Sequence, residues 1–253
     1  AVANPGYFQV GRWGGTAAVQ LAVMGAEKKV HVVDVTGDGF DDLTPDGVQI
    51  LNPAYNFGSL VAADVDQDGT DELYVSMQSS LNPNEGVQRL ADLTSATPSK
   101  SFVAGVPNNP QRIAIADVDG DGHLDLIAVE YRFVSFTNQY WLTTYPLPGR
   151  DPGAPAFGST QVGSPDSYCQ FSPNAGAMLP TDVDGDGDLD LLMIGCQQDV
   201  NWARVAINDG TGTFSIRYYV ATPGEKADPD VAGLNRLPTG VPLIDANGDD
   251  RSD

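Results

Sequence analysis

Short apolar runs, separated by polar and turn-forming residues, recur along this chain. Runs such as KVHVVDV (29–35) and RIAIADV (112–118) are rich in β-branched residues, and Gly and Pro are frequent between such runs. This pattern is typical of β-strands joined by turns. Apolar residues do not keep a helical spacing over ten or more positions, and the best helical candidate, residues 85–93, spans at most two turns. The pattern therefore predicts an all-β protein with almost no helix.

Five acidic segments follow strand-like runs and share one form. Position 1 is Asp, position 2 is small or apolar, position 3 is Asp, Asn or Thr, and position 4 is any residue. Positions 5 and 6 are Asp and Gly, positions 7 and 8 are any residue, and position 9 is Asp or Glu. They are DVTGDGFDDL (34–43), DVDQDGTDEL (64–73), DVDGDGHLDL (117–126), DVDGDGDLDL (182–191) and DANGDDRSD (245–253), the last with Asp250 in place of Gly. A polar turn needs only one or two such residues, so ordinary turns do not explain carboxylates at alternate positions in five copies.

Alternate carboxylates in a tight loop suit a hard cation such as Ca²⁺, which takes about six to eight oxygen ligands. Side chains at positions 1, 3, 5 and 9 and the main-chain carbonyl at position 7 would supply them, and Gly at position 6 would permit the sharp reversal. The predicted side-chain ligands are Asp34, Thr36, Asp38, Asp42, Asp64, Asp66, Asp68, Glu72, Asp117, Asp119, Asp121, Asp125, Asp182, Asp184, Asp186, Asp190, Asp245, Asn247, Asp249 and Asp253. The predicted carbonyl ligands are Phe40, Thr70, His123, Asp188 and Arg251. We therefore expect about five Ca²⁺ ions.

The charge of the chain is concentrated in these loops. The formal net charge is −21, from 34 acidic and 13 basic residues, and 18 of the acidic residues are predicted side-chain ligands. The remaining charges nearly balance, so the acidity is not a general surface property. A net negative charge argues against nucleic acid or an anionic membrane surface as a partner. No run of about 18 apolar residues occurs, so membrane insertion is not expected.

The loops differ from the EF-hand pattern, which needs Glu at position 12 and flanking helices. Position 12 is Val75, Ala128 and Met193 in the second, third and fourth copies, and a strand-like run follows each loop. Each loop is therefore predicted to be the tip of a β-hairpin. Three of the four intervals between loops suit one four-stranded blade of a β-propeller. The predicted blades are roughly 1–63, 64–116, 117–181 and 182–244, with the next blade starting at 245–253.

The first interval, from Asp34 to Asp64, is only 30 residues and is too short for four ordinary strands. The first loop is therefore expected to close a half-sized blade, or a hairpin that completes the terminal blade. We also expect the polypeptide to continue beyond Asp253, because a domain would hardly end on the last ligand of a loop. A seven-bladed ring of such repeats would need roughly 400 residues.

The five loops, together with NDGTGTF (208–214), resemble the FG-GAP and VCBS repeat families, which are related to the head of integrin α-subunits. The pairs Phe57-Gly58 and Phe157-Gly158 are candidate remnants of the "FG" element. This resemblance implies a calcium-binding β-propeller, here an incomplete seven-bladed ring, and it is far more specific for the fold than for a function.

A non-catalytic binding module is the expected function: a secreted or cell-surface propeller that binds a glycan or an extracellular protein. Two alternatives remain open, namely a propeller domain of a secreted polysaccharide-degrading enzyme and a structural subunit of a cell-surface assembly or toxin. No GxSxG or HExxH motif occurs. His31 and His123 are interpreted as structural, so no catalytic residue is predicted.

Two further features are open to more than one interpretation. Cys169 and Cys196 are expected to form a disulfide in an oxidising compartment, with two buried thiols as the alternative. The aromatic segment 131–147 is predicted to form a hairpin that turns near Thr137-Asn138. Its aromatic side chains are expected to pack between blades, and stacking on a sugar or on a partner protein is the alternative.

Overall fold

The computed structural model describes residues 7–14, 20–36, 39–50, 56–78, 86–106, 110–135, 137–147, 157–163, 178–194 and 202–220. Within these ranges the chain forms strands and turns and contains no helix, which confirms the all-β prediction. The helical candidate at 85–93 contains the strand Val87–Ala91 instead. None of the described segments forms a helix with the length and hydropathy needed to cross a membrane.

The described strands form four antiparallel sheets in chain order. The first sheet contains β1 (Tyr7–Gly11), β2 (Gln20–Met24), β3 (Lys29–Thr36), β4 (Gly39–Asp42) and the short β5 (Val48–Gln49), which pairs with β3. The second sheet contains β6 (Asn56–Ala63), β7 (Glu72–Gln78), β8 (Val87–Ala91) and β9 (Ser99–Phe102).

The third and fourth sheets repeat the order of the second, with each strand paired to the next along the chain. The third sheet contains β10 (Pro110–Ala116), β11 (Asp125–Val134), β12 (Thr137–Pro146) and β13 (Phe157–Gly163). The fourth sheet contains β14 (Met178–Thr181), β15 (Asp190–Ile194), β16 (Trp202–Asn208) and β17 (Phe214–Val220). Four-stranded antiparallel sheets that recur along the chain are the coarse feature that the sequence predicted.

The chain divides into two compact units, one of residues 1–110 with 147–153 and the other of residues 111–146 with 154–253. In the first unit, a buried cluster joins Val32 of the first sheet to Val75 of the second. In the second unit, a separate cluster joins Ile127 of the third sheet to Leu191 of the fourth. Side chains alternate across a strand, so each sheet offers one row of apolar residues to each such cluster.

The acidic loops occupy two different places in the sheets. The second, third and fourth loops join the first two strands of their sheets, β6 to β7, β10 to β11 and β14 to β15. Each of these sheets therefore begins one strand before its loop, whereas the predicted blades began at the first Asp. The first loop instead joins β3 to β4, at the far side of its sheet. This position explains the short first interval, because only β5 and β6 separate the first loop from the second.

The aromatic segment forms the predicted hairpin, with its turn placed slightly earlier than expected. Strands β11 and β12 pair to the very end, where Val134 faces Thr137. Ser135 takes a left-handed φ of 50° and reverses the chain there, before the predicted Thr137-Asn138 turn. Tyr140 is buried and packs edge-to-face against Tyr131, with ring centroids 5.6 Å apart. This pair lies within one sheet, but Tyr140 also belongs to the buried cluster that the third and fourth sheets share, so packing between sheets accounts for that side chain.

Gly158 marks a close backbone approach between the third and fourth sheets. Its φ is +67°, and a Cβ at this position would lie 2.3 Å from the carbonyl oxygen of Gly212. Two hydroxyl groups of the third sheet reach the same segment of the fourth: Thr144 Oγ1 donates to Gly212 O at 3.3 Å, and Thr160 Oγ1 donates to Phe214 O at 2.7 Å. The glycine of the second Phe-Gly pair is thus required by packing against the segment that follows the fourth loop.

Replacing Gly158 by Ala should destabilise the protein by about 2 to 4 kcal/mol, because overpacking adds to the cost of a left-handed conformation. Gly105 is a matched control: its φ is +81°, and an added Cβ would meet no atom within 4 Å. Gly105→Ala should cost only about 1 to 2 kcal/mol, from the conformation alone. Urea unfolding of both variants measures the difference, and equal losses would show that the approach to Gly212 is unimportant.

Candidate metal loops

Three of the predicted loops bring carboxylate oxygens together. In each, one oxygen from each of three residues lies within 4.8 Å of the others. The clusters are Asp64, Asp66 and Asp68 in the second loop, Asp117, Asp119 and Asp125 in the third, and Asp182, Asp184 and Asp190 in the fourth. The structure thus shows acidic clusters that could hold a metal ion at three of the five predicted places.

The carboxylate at position 1 folds the loop around itself. In each of these loops its two oxygens accept backbone N–H groups from within the loop. Asp64 accepts from Asp68 and Gly69 at 3.0 and 2.9 Å, Asp117 from Gly120 and Gly122 at 2.9 Å each, and Asp182 from Gly185 and Gly187 at 2.7 and 3.1 Å. The first Asp is therefore a structural hub of the loop as well as a candidate ligand.

The carboxylate at position 5 makes a second recurring turn. It accepts the N–H of position 7, two residues later, as Asx turns do. The pairs are Asp68 with Thr70 at 2.8 Å, Asp121 with His123 at 2.9 Å and Asp186 with Asp188 at 2.9 Å. His123 is exposed at this position, and its backbone N–H takes part in the turn, which agrees with a structural role for this histidine.

The carboxylate at position 9 is buried in all three loops, and it closes each loop from the strand that follows. It accepts the N–H of the valine at position 2: Glu72 from Val65 at 2.9 Å, Asp125 from Val118 at 3.4 Å and Asp190 from Val183 at 2.8 Å. One side chain thus ties the start of the loop to its end. The same side chain places a carboxylate in the interior, and a buried negative charge needs compensation.

Positions 4 and 6 both lie in the left-handed region, and sequence reasoning recognised only the second of them. The values of φ are 58° at Gln67 and 91° at Gly69, 71° at Gly120 and 85° at Gly122, and 80° at Gly185 and 98° at Gly187. The sequence motif places no restriction on position 4, although this position is Gly in every loop except the second. That recurrence was the available signal, since only Gly adopts such a conformation without strain.

The fourth loop shows the electrostatic cost of gathering these carboxylates. Burial raises the pKa of Asp190 to about 6, and the charges of Asp184 and Asp186 contribute to the rise. The hydrogen bonds from the N–H groups of Asn208 and Val183 lower this pKa, but by less. Burial and the charge of Asp186 raise the pKa of Asp184 as well. Both groups are harder to ionise than an isolated Asp, and a cation among them would favour their charged forms.

Asn208 connects the third and fourth loops within the second unit. Its backbone N–H donates to Asp190 at 2.8 Å, and its side-chain oxygen accepts the N–H of Gly212 at 3.1 Å. Its Nδ2 donates to Val118 O in the third loop at 2.7 Å and to Leu189 O in the fourth at 3.2 Å. Asn208 opens the segment NDGTGTF, so the residues of that motif hold two adjacent loops in register.

The second loop contains a basic side chain beside its carboxylates. Arg89 of β8 places Nη2 at 2.5 Å from Glu72 Oε1 and at 3.2 Å from Asp66 Oδ2. Burial raises the pKa of Glu72, while the Val65 N–H and Arg89 oppose that rise. Burial would lower the pKa of Arg89, but the hydrogen bond to Glu72, the charge of Glu72 and Tyr74 together outweigh burial and raise it. Arg89 and Glu72 thus form a partly buried ion pair.

The described part of the first loop makes different contacts. Asp34 Oδ1 accepts from Gln20 Nε2 at 2.7 Å, and Asp42 Oδ2 lies 3.1 Å from Nδ1 of the buried His31. Within the part of the chain that the structure describes, this loop does not form a three-residue acidic cluster. Phe40 at position 7 is 68% exposed. Asp38 lies outside the described residues, and so does the side chain of Thr36.

Other predicted residues also fall outside the described ranges. These are the fifth loop, with Asp245, Asn247, Asp249, Arg251 and Asp253, and the cysteines Cys169 and Cys196. The fifth cation site and the disulfide therefore stay predictions.

A buried polar network that sequence reasoning missed lies in the third sheet. Tyr145 Oη donates to the buried Glu130, and Arg132 Nη2 lies 2.6 Å from the same carboxylate. Arg132 also donates to Thr143 Oγ1 at 2.7 Å, and its guanidinium lies 5.2 Å from the ring centre of Trp141. The two charges compensate each other inside the sheet, so the network holds the aromatic hairpin together.

Comparison with known proteins gives little further information. No family model and no curated protein matches the chain. Among solved structures, the chain is similar to rhamnogalacturonan lyase YesW, with 12% identity and a TM-score of 0.40, over 88% of this chain and 54% of that one. It is also similar to exotype rhamnogalacturonan lyase YesX, with 12% identity and a TM-score of 0.36, over 87% of this chain and 51% of that one. The chain thus spans about half the length of each structure, and at this overlap the likeness indicates neither substrate nor activity.

Replacing Gln67 by Gly should stabilise the second loop by about 0.5 to 1 kcal/mol. Gly removes the strain of φ 58°, and part of that gain is offset by the greater freedom of Gly in the unfolded chain. Gln67→Ala keeps the strain and should give no gain. Thermal unfolding of the two variants compares them, and an equal gain for Ala would show that the glutamine side chain, not the backbone, carries the cost.

Proposed function

We propose that this chain is part of a calcium-binding β-propeller of the FG-GAP and VCBS type, and that it acts as a non-catalytic binding module outside the cell. The observation that supports this best is the recurrence of one acidic loop in the first hairpin of three successive four-stranded sheets. A repeat that places the same carboxylates at the same place in each sheet is typical of a structural ion site.

The donor chemistry of the third and fourth loops fits a hard cation. Every member of both clusters is an aspartate, so the donors are all oxygens, which Ca²⁺ and Mg²⁺ prefer over the softer metals. Asp117, Asp119 and Asp125 would hold the ion in the third loop, and Asp182, Asp184 and Asp190 would hold it in the fourth. The flexible loop, with oxygens at alternate positions, favours the larger Ca²⁺ over the rigid octahedron of Mg²⁺.

A structural role for the ion follows from where its ligands lie. Each ligand carboxylate that also accepts backbone N–H groups belongs to the framework of its hairpin, as Asp182 and Asp190 do. An ion at this place compensates their charges and stabilises the hairpin tips. Rigid tips would keep the loop surface of each sheet fixed, which suits a binding module.

Calcium removal should lower the melting temperature of the protein by several degrees. For a dissociation constant of about 10⁻⁴ M, each site contributes about 1.4 kcal/mol at roughly 1 mM calcium. In the double variant Asp119→Asn with Asp121→Asn, calcium should raise the melting temperature by less, because Asn keeps the loop's acceptors but removes two charges. The variant Asp46→Asn with Asp92→Asn removes two exposed charges outside the loops, and calcium should raise its melting temperature as much as in the unmodified chain. An unchanged calcium stoichiometry in the loop variant would contradict the proposal.

The binding role is tested with a glycan array and a set of extracellular matrix proteins, each probed with the calcium-loaded and the chelated chain. We expect retention of a ligand that chelation reduces, with no change in the mass of the ligand after long incubation. Shortened or unsaturated glycan products would identify the enzymatic alternative instead.

A further inference from the structure

Arg89 lies between the carboxylates at positions 3 and 9 of the second loop. In the third and fourth loops, the acidic cluster contains positions 1, 3 and 9. In the second loop, Arg89 Nη2 bridges positions 3 and 9, at 3.2 Å from Asp66 and 2.5 Å from Glu72. Position 9 is accordingly absent from the cluster of the second loop, which consists of Asp64, Asp66 and Asp68.

Both oxygens of Glu72 are already engaged. Oε2 accepts the Val65 N–H at 2.9 Å, as in the other loops, and Oε1 accepts from Arg89. The Glu72 side chain is only 5% exposed, whereas Asp66 is 49% exposed. The guanidinium thus compensates the buried charge of the loop, and a divalent ion would have to displace it.

The register of the hairpins makes this arrangement specific to the second loop. Arg89 faces Tyr74, which is position 11 counted from the first Asp. The residue that faces position 11 is Thr144 in the third sheet and Val205 in the fourth. Neither side chain is basic. In the fourth loop, moreover, no lysine or arginine among the described residues forms an ion pair with the carboxylates.

We infer that Arg89 is a built-in cation that replaces calcium in the second loop, so that this loop is closed without metal while the third and fourth loops bind it. The inference rests on the calcium function proposed above and corrects the expectation that all five loops take an ion. It divides the repeats into two kinds that share one sequence motif.

Three matched double variants test it, each with Asn at positions 3 and 5. They are Asp66→Asn with Asp68→Asn, Asp119→Asn with Asp121→Asn, and Asp184→Asn with Asp186→Asn. Calcium chloride is titrated into the chelated full chain by calorimetry, with equilibrium dialysis as a second count. The first variant should bind as many ions as the unmodified chain, and each of the others should bind one fewer.

The outcomes separate the two proposals. If the second-loop variant also binds one ion fewer, the role assigned to Arg89 is wrong while the calcium function stands. If no variant changes the count, calcium does not bind these loops, and both proposals fail.

A change at Arg89 itself gives the converse test. Arg89→Met should create a requirement for calcium, with one additional bound ion and a larger rise in melting temperature between chelated and calcium-loaded protein. Arg217→Met, at an exposed arginine of β17, is the control and should change neither quantity. A folded Arg89→Met chain with an unchanged ion count overturns the inference. If Arg89→Met does not fold even in calcium, the number of ions bound by Asp66→Asn with Asp68→Asn decides whether the inference holds.

Discussion

The constraint on which these loops depend is the burial of a carboxylate at position 9. Glu72, Asp125 and Asp190 each begin the strand that follows a loop, and each is almost fully buried. A buried charge is costly unless it is hydrogen-bonded and compensated. The valine N–H at position 2 satisfies part of this need in every loop and closes the hairpin at the same time. The group that compensates the rest of this charge, a cation or a basic side chain, then distinguishes one loop from another.

Hydrogen bonds within the loop support the shape of the second, third and fourth loops. Positions 1 and 5 accept backbone N–H groups from the loop itself, and the left-handed residues at positions 4 and 6 direct those groups inward. This arrangement brings several carboxylates together, and burial, with a smaller contribution from the charges of Asp184 and Asp186, raises the pKa of Asp190. A cation would therefore act mainly on stability, by compensating the charges of these carboxylates.

The features that the sequence predicted correctly are local ones. Strand-like runs on both sides of each loop indicated hairpins, and alternate carboxylates indicated acidic clusters, because both patterns lie within a few consecutive residues. The contact of Arg89 with Glu72 could not be predicted in this way, since Arg89 reaches the loop from β8 through the pairing of two strands. The place of the first loop in the β3–β4 hairpin likewise depends on which strands pair. The glycine at position 4 was visible in the sequence, but its reason, a positive φ, appears only in the structure.

The side chain that faces a loop from a neighbouring strand distinguishes copies of the motif that look alike in sequence. The first loop meets Gln20 and His31, the second meets Arg89, and the register position of Arg89 is taken by Thr144 and Val205 in the third and fourth hairpins. If Arg89 replaces the ion as inferred, a basic partner compensates the charge of its loop internally, whereas a neutral partner would leave that charge to an external cation. One residue on an adjacent strand would then change the dependence of a loop on metal while the acidic motif of that loop stays the same.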